Sequence, residues 1–335
     1  MEEAATIRAP GYRYQRRGMS ALIRQLSIVD DRRNALLLVL QWLIALGAGA
    51  IAIRVDQIPV YLVAGIVIGS RLQCLAVMMH DACHGTLFSN RRVNDLIGDL
   101  FVAYPLGIGI HLYRASHLRH HRHTNTAEDY DFRFQSSDPD QRFPKSRAGM
   151  VWLLVRSLTG LNAPRMLWFA RVWLPAANLH NPPHLDIDFR LALRLRYVAW
   201  FAIVYGLILW SPFRWQILGL YLIPLFVWSN LFNRMRAMAE HNGVAAELEL
   251  NGTRTVIPSL LDRFLIVPFN VSYHLEHHLF PSVPGANLRL LHAHLIADPA
   301  YSARAHVTQG YWGVIKELLP PPSLTSTSFP IVRPD

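Results

Sequence analysis

Nine of the chain's 16 histidines fall in three short clusters. They read HDACH (His80, His84), HLRHHRH (His117, His120, His121, His123) and HLEHH (His274, His277, His278). On a helix, residues i, i+3 and i+4 share one face, so each cluster can aim two or three imidazoles in one direction. A neutral imidazole binds Zn, Fe, Cu or Ni through a ring nitrogen. Three convergent clusters hold more ligands than one tetrahedral ion takes, which points to a two-metal site. Neighbouring helix residues such as His120 and His121 point about 100° apart, so HxxHH can serve a different ion with each of its adjacent histidines. A lone HxxxH is ordinarily a coincidence or a surface pair. One HxxxH followed by two HxxHH segments, among long apolar runs, is a metal signature.

The elements that position these clusters are membrane helices. The 335 residues are 52% hydrophobic and only 17% charged, where about a quarter charged is usual for soluble proteins. Nearly uncharged runs cover 35–53, 58–79 (broken only by Arg71 and Gln73), 197–210 and 215–232. A spanning helix needs about 20 apolar residues. The third run reaches that length if it begins near Leu191, with Arg194 and Arg196 snorkelling. The expected fold is an all-α integral membrane protein: four transmembrane helices in two hairpins, with a cytoplasmic helical cap holding a histidine-rich dimetal site. The expected divisions are an interfacial N-terminal arm (1–34), the membrane domain (35–310) and a largely disordered tail (311–335).

Charge sets the orientation. The first residues lack a signal-peptide core. Arg32 and Arg33 flank the first span, and each hairpin tip carries a single arginine. The positive-inside rule then places both termini and the middle loop in the cytoplasm. The net charge of +10 reads as attraction to anionic headgroups, since no nucleic-acid motif accompanies it. Cys74 and Cys83 imply no disulfide framework.

The clusters test this topology, because ligands of one site must meet on one side. The segment 96–113 is long enough to cross, but it contains Asp99, Pro105 and three glycines. It is expected to be interfacial or re-entrant. The segment 150–174 is expected to be an amphipathic interfacial helix, and His180 and His184 to lie in a surface turn.

In this order HDACHG, HLRHHRHTN and YHLEHHLFP resemble the membrane fatty acid desaturases, a family that includes hydroxylases and carotenoid ketolases. The resemblance runs from about Ala35 to His294. It implies a diiron enzyme that uses two Fe2+ ions, O2 and two electrons to remove hydrogens from an unactivated alkyl chain. Iron can supply such an oxidant and zinc cannot. The resemblance also implies the ligand set His80, His84, His117, His120, His121, His274, His277 and His278. A ninth ligand, His241, comes from the EH dipeptide after the last span. Asn270 stands where some relatives place an asparagine that reaches the metal through water. His123, His111, His292, His294 and His306 are expected not to ligate. Asp81, Asp129, Glu240 and Glu276 are within sequence reach to orient ligand tautomers, or are plain surface charges.

No HPGG cytochrome motif and no dinucleotide fingerprint occurs, so a ferredoxin-like or cytochrome-type donor is expected. The expected activity is O2-dependent desaturation of an acyl chain on a lipid, CoA or carrier. Desaturation or hydroxylation of a non-lipid metabolite, and carotenoid oxidation, stand as alternatives. A membrane metal carrier is the competing class. A carrier needs ionisable ligands deep in its spans, whereas here the clusters lie at or beyond the span ends.

Overall fold

The computed structural model describes residues 14–16, 18–129, 132, 138–164, 191–244 and 249–321. Among them, four helices are long and apolar enough to cross a membrane: α2 (Asp31–Val55), α3 (Ile58–His84), α7 (Leu191–Trp210) and α8 (Arg214–His241). They extend the four apolar runs at their ends, most of all at α8, which continues past 232 to His241. A short helix α1 (Ser20–Leu26) precedes them. The faces of α2 and α7 are mostly exposed, with Leu36, Leu43, Leu46, Ile203 and Leu207 pointing outward. Apolar side chains exposed over whole helices fit lipid as the solvent.

The most buried span, α3, is the axis of the fold. Two glycines let other helices close on it. A Cβ on Gly69 would stand 2.3 Å from Cβ of Trp228 on α8, and one on Gly98 would stand 3.2 Å from Cβ of Ala82. Helix α4 (Arg91–Gly98) continues through a π turn (Asp99–Ala103) and a 3-10 turn (Tyr104–Leu106). The chain then bends by 88° into α5 (Ile110–His123). The segment expected to be re-entrant is therefore sharply broken at Gly107–Gly109.

Asp99 makes that bend. Its carboxylate is buried and accepts the Ile110 N–H at 2.9 Å, capping the start of α5. It also takes a hydrogen bond from Arg196 of α7, whose Nε donates to the Tyr104 hydroxyl at 3.1 Å. Arg196 was expected to snorkel to the interface; it turns inward, because a carboxylate is available beside it. Removing the buried Asp99 carboxylate leaves the half-buried Arg196 and the Ile110 N–H without their acceptor, at a cost of about 1–3 kcal/mol. Asp99→Ala is therefore expected to lower the apparent melting temperature in detergent by several degrees. An Asp99→Leu, Arg196→Met double variant is expected to regain most of the loss. Equal melting for wild type and Asp99→Ala would remove the pair from the account.

Past α3 to α5, the described chain includes α6 (Arg147–Leu158), which buries Met150 and Leu153 and leaves Val151, Trp152 and Val155 exposed. The interfacial helix expected over 150–174 is present only to Leu158, where the chain turns through 159–162; 165–190 lie outside the described residues, and His180 and His184 with them. The segment after α8, called the cap below, includes α9 (Leu260–Leu265), α10 (His274–Leu279), α11 (Gly285–Leu295), a one-turn helix at Pro299–Ser302, and α12 (Gly310–Glu317).

Two expectations need correction. The fold is not purely helical: β1 (Thr255–Ile257) and β2 (Val307–Gln309) pair in parallel. Each strand is three residues long, too short for an alternating pattern to be read from sequence. Residues 311–319 are also not tail. Helix α12 buries Tyr311 and Val314, and Leu318 behind it is fully buried. The N-terminal residues 1–13 and the tail residues 322–335 lie outside the described residues.

Candidate metal centre

Each histidine cluster stands at a helix end or on a short helix of the cap. His80 and His84 form the last turn of α3, which Gly85 ends in a left-handed conformation (φ +76). His117, His120 and His121 lie on the last two turns of α5. His241 is the final residue of α8, and α10 carries His274, His277 and His278.

The folded chain brings all nine together in two groups. His80, His84, His117, His121 and His277 each offer a ring nitrogen within 4.8 Å of the others, and so do His120, His241, His274 and His278. The helical period explains the division. On α5 the i, i+4 pair His117 and His121 faces one group, while His120 faces the other. On α10 the i, i+4 pair His274 and His278 serves the second group, and His277 serves the first. His123, His111, His292, His294 and His306 join neither group.

The ring nitrogens meet tip to tip. Nε2 of His241 lies 3.1 Å from Nε2 of His120 and 2.9 Å from that of His274. Nε2 of His121 lies 3.1 Å from that of His117 and 3.0 Å from that of His277. Asp129, buried, accepts from Nδ1 of His120 at 2.8 Å. That carboxylate holds the proton on Nδ1 and leaves the lone pair of Nε2 facing the group. Burial, then the neighbouring rings, holds His117, His274, His277 and His278 well below the ordinary imidazole pKa. Neutral imidazole is the form that binds a metal. Nε2 of His80 and of His84 is buried with no hydrogen-bond partner among the described residues. Such convergent lone pairs fit a cation and would be costly without one. Nine imidazoles and no thiolate suit a borderline ion such as iron.

Of the four carboxylates within sequence reach, three adjoin the groups. Besides Asp129, Glu240 stands 3.5 Å from Nδ1 of His274 and accepts from Nε of Arg236 at 2.6 Å. Asp81 stands 3.7 Å from Nδ1 of His80. Glu276 turns away from the groups. It is fully buried and accepts from the Thr255 and Tyr301 hydroxyls and from Nδ1 of His292. His292 is thus a support of α10 rather than a solvated side chain. Asn270 has a left-handed backbone (φ +63) and donates its amide to Gly285 O and Ala286 O, both at 3.2 Å.

Two arginines tie the ligand-bearing ends together. Arg114 donates to Ala82 O and Cys83 O of α3 and to the Asp95 carboxylate, so the helix ends carrying His84 and His117 are fixed to each other. Arg254, fully buried, donates to Ala239 O, two residues before His241, and pairs with Glu317. No local pattern marks either arginine, because each partner is distant in the chain.

If Asp129 orients His120 for a metal, Asp129→Asn is expected to weaken metal retention by about 10–100-fold. Dialysis against a graded chelator series, with metal quantified after each step, measures this. Unchanged retention would reduce Asp129 to a structural partner.

A family model described as "Fatty acid desaturase" matches residues 56–310. The dihydrorhizobitoxine desaturase of Bradyrhizobium elkanii is 27% identical over 249 residues, covering 72% of this chain and 69% of the relative. The sn-1 oleoyl-lipid 12-desaturase of a Synechocystis strain is 29% identical over 274 residues, covering 76% and 74%. The chloroplastic omega-6 fatty acid desaturase of Arabidopsis thaliana is 26% identical over 247 residues, covering 67% of this chain and 50% of the relative.

Proposed function

The chain belongs to the membrane fatty acid desaturase family, and from that premise we propose that it is an O2-dependent desaturase that places a C=C bond in an acyl chain with two histidine-held irons. The observation that carries this reading is the division of nine imidazoles into a group of five and a group of four. His80, His84, His117, His121 and His277 would hold one Fe2+, and His120, His241, His274 and His278 the other. When bound, the irons with O2 and two electrons supply the oxidant for an unactivated C–H bond. The protein's own part is positional. Asp129 holds the proton of His120 on Nδ1, and Arg114 and Arg254 fix the ligand-bearing helix ends. Five of the nine histidines are buried and the other four half-buried, which limits the access of bulk water to the site.

The substrate is proposed as an acyl chain on a lipid, CoA or carrier, because the site stands at the ends of membrane spans. One relative gives a second reading its basis: dihydrorhizobitoxine desaturase is named for a non-lipid metabolite. Mass analysis of lipids and small metabolites from cells expressing the chain, against a His120→Ala control, separates the two. A lipid acyl product lighter by two hydrogens is expected. The same loss from a small metabolite, with lipids unchanged, would keep the reaction and replace the substrate. A product heavier by one oxygen would overturn desaturation.

The proposed topology is two hairpins, α2–α3 and α7–α8, with both termini and the site in the cytoplasm, and a ferredoxin-like or cytochrome-type donor approaching from that side. Single cysteines at Arg92 and Ala127, labelled in intact cells and inverted vesicles, are expected to react from the cytoplasmic side. One at Gln57 is expected to react from the other. Opposite labelling of Arg92→Cys and Ala127→Cys would break the single-site topology.

A further inference from the structure

Arg71 and Gln73 are the two polar interruptions of the second apolar run, and neither faces a histidine group. Both are buried inside α3. Arg71 donates to Phe264 O at 2.9 Å and to Oε1 of Gln41 on α2 at 2.8 Å, and its guanidinium lies 4.5 Å from the centre of the Phe264 ring. Gln73 donates to Ile266 O at 3.0 Å. These two residues of a span thus hold carbonyls of the cap segment that contains α9.

The depth of this contact follows from helix geometry. At 1.5 Å per residue, Arg71 lies about 20 Å along α3 from its start at Ile58, and Gln41 lies about 20 Å along α2 from its end at Val55. Both distances start at the same hairpin tip. In a hydrocarbon core about 30 Å thick, both residues then lie about 10 Å inside the face on which the histidines stand. Phe264, held by Arg71, must reach the same depth.

The surface of α9 agrees. Leu260, Leu261 and Phe264 are 86%, 65% and 47% exposed, three large apolar side chains on six residues. In water that would be a poor surface for so short a helix. Its two charged residues are accommodated: Asp262 closes a capping box with Ser259, and Arg263 has a stem long enough to snorkel.

We propose that α9 re-enters the bilayer from the cap, gripped by Arg71 and Gln73, and that Leu260, Leu261 and Phe264 contact the acyl chains of the site-side leaflet. Since α9 leads through Pro268–Asn270 into α10, this contact would couple the lipid phase to the helix carrying His274, His277 and His278.

The test is a spin label at Leu261→Cys in a chain carrying Cys74→Ala and Cys83→Ala, reconstituted in phosphatidylcholine vesicles. Leu207→Cys on α7 serves as the lipid standard and Ser302→Cys as the water standard. Collision with O2 is expected to exceed collision with a polar nickel chelate at 261, as at 207. A nickel-dominated signal, as at 302, would overturn the proposal. Low collision with both reagents would overturn it too, since it would mean that protein covers α9. Phe264→Cys provides a second site at which the same ratio must hold.

Discussion

His241→Ala is expected to bring turnover to background and to lower the iron content by about one ion per chain, since a four-imidazole group would be left with three donors. His241 lies outside the three clusters, yet its Nε2 stands between those of His120 and His274. Removing it opens the centre of the group rather than its edge. The matched control is His123→Ala, because His123 belongs to the second cluster but joins neither group. Iron per chain and product per enzyme should match wild type in that control. His292→Ala, at another residue expected not to ligate, is not a neutral control, because its ring donates to buried Glu276. Equal tolerance of His241→Ala and His123→Ala would remove His241 from the site.

The second large effect is expected at Glu276. Glu276→Ala leaves the Thr255 and Tyr301 hydroxyls and the His292 ring without their shared acceptor in a buried place. Leaving such donors unpaired costs about 1–3 kcal/mol each before relaxation. The apparent melting temperature should fall well below that of His292→Ala, which removes one donor and keeps the acceptor. Metal should be lost from both groups together, because α10 gives His277 to one and His274 and His278 to the other. Glu276→Gln keeps an acceptor oxygen and should lie between the two. A Glu276→Ala chain with wild-type melting and full metal content would show that α10 is held by other contacts.

What the sequence made legible follows from locality. Eight of the nine candidate ligands could be named because i, i+3 and i+4 spacing writes a shared helix face directly into the chain; the ninth, His241, stands alone and came only from the resemblance. The four spans could be named because lipid demands about 20 consecutive apolar residues. The division into five and four follows the same period once α3, α5, α8 and α10 are brought together, but their placement is a tertiary fact. The contacts that escaped sequence reading all join residues far apart in the chain. Arg196 meets Asp99, Arg71 meets Phe264, and His292 meets Glu276. In each case a polar residue that would ordinarily seek water finds a partner on another element, and no local pattern records that partner. The β1–β2 pair was hidden for the same reason, its strands being about 50 residues apart and three residues long.

The central claim is that the two imidazole groups hold two irons. It is tested most directly by metal quantification, using plasma emission on protein purified gently without chelator. About two irons per folded chain are expected, from two groups of donors that each suit one such ion. A single firmly held zinc, with no oxygen-dependent product after iron loading, would contradict it.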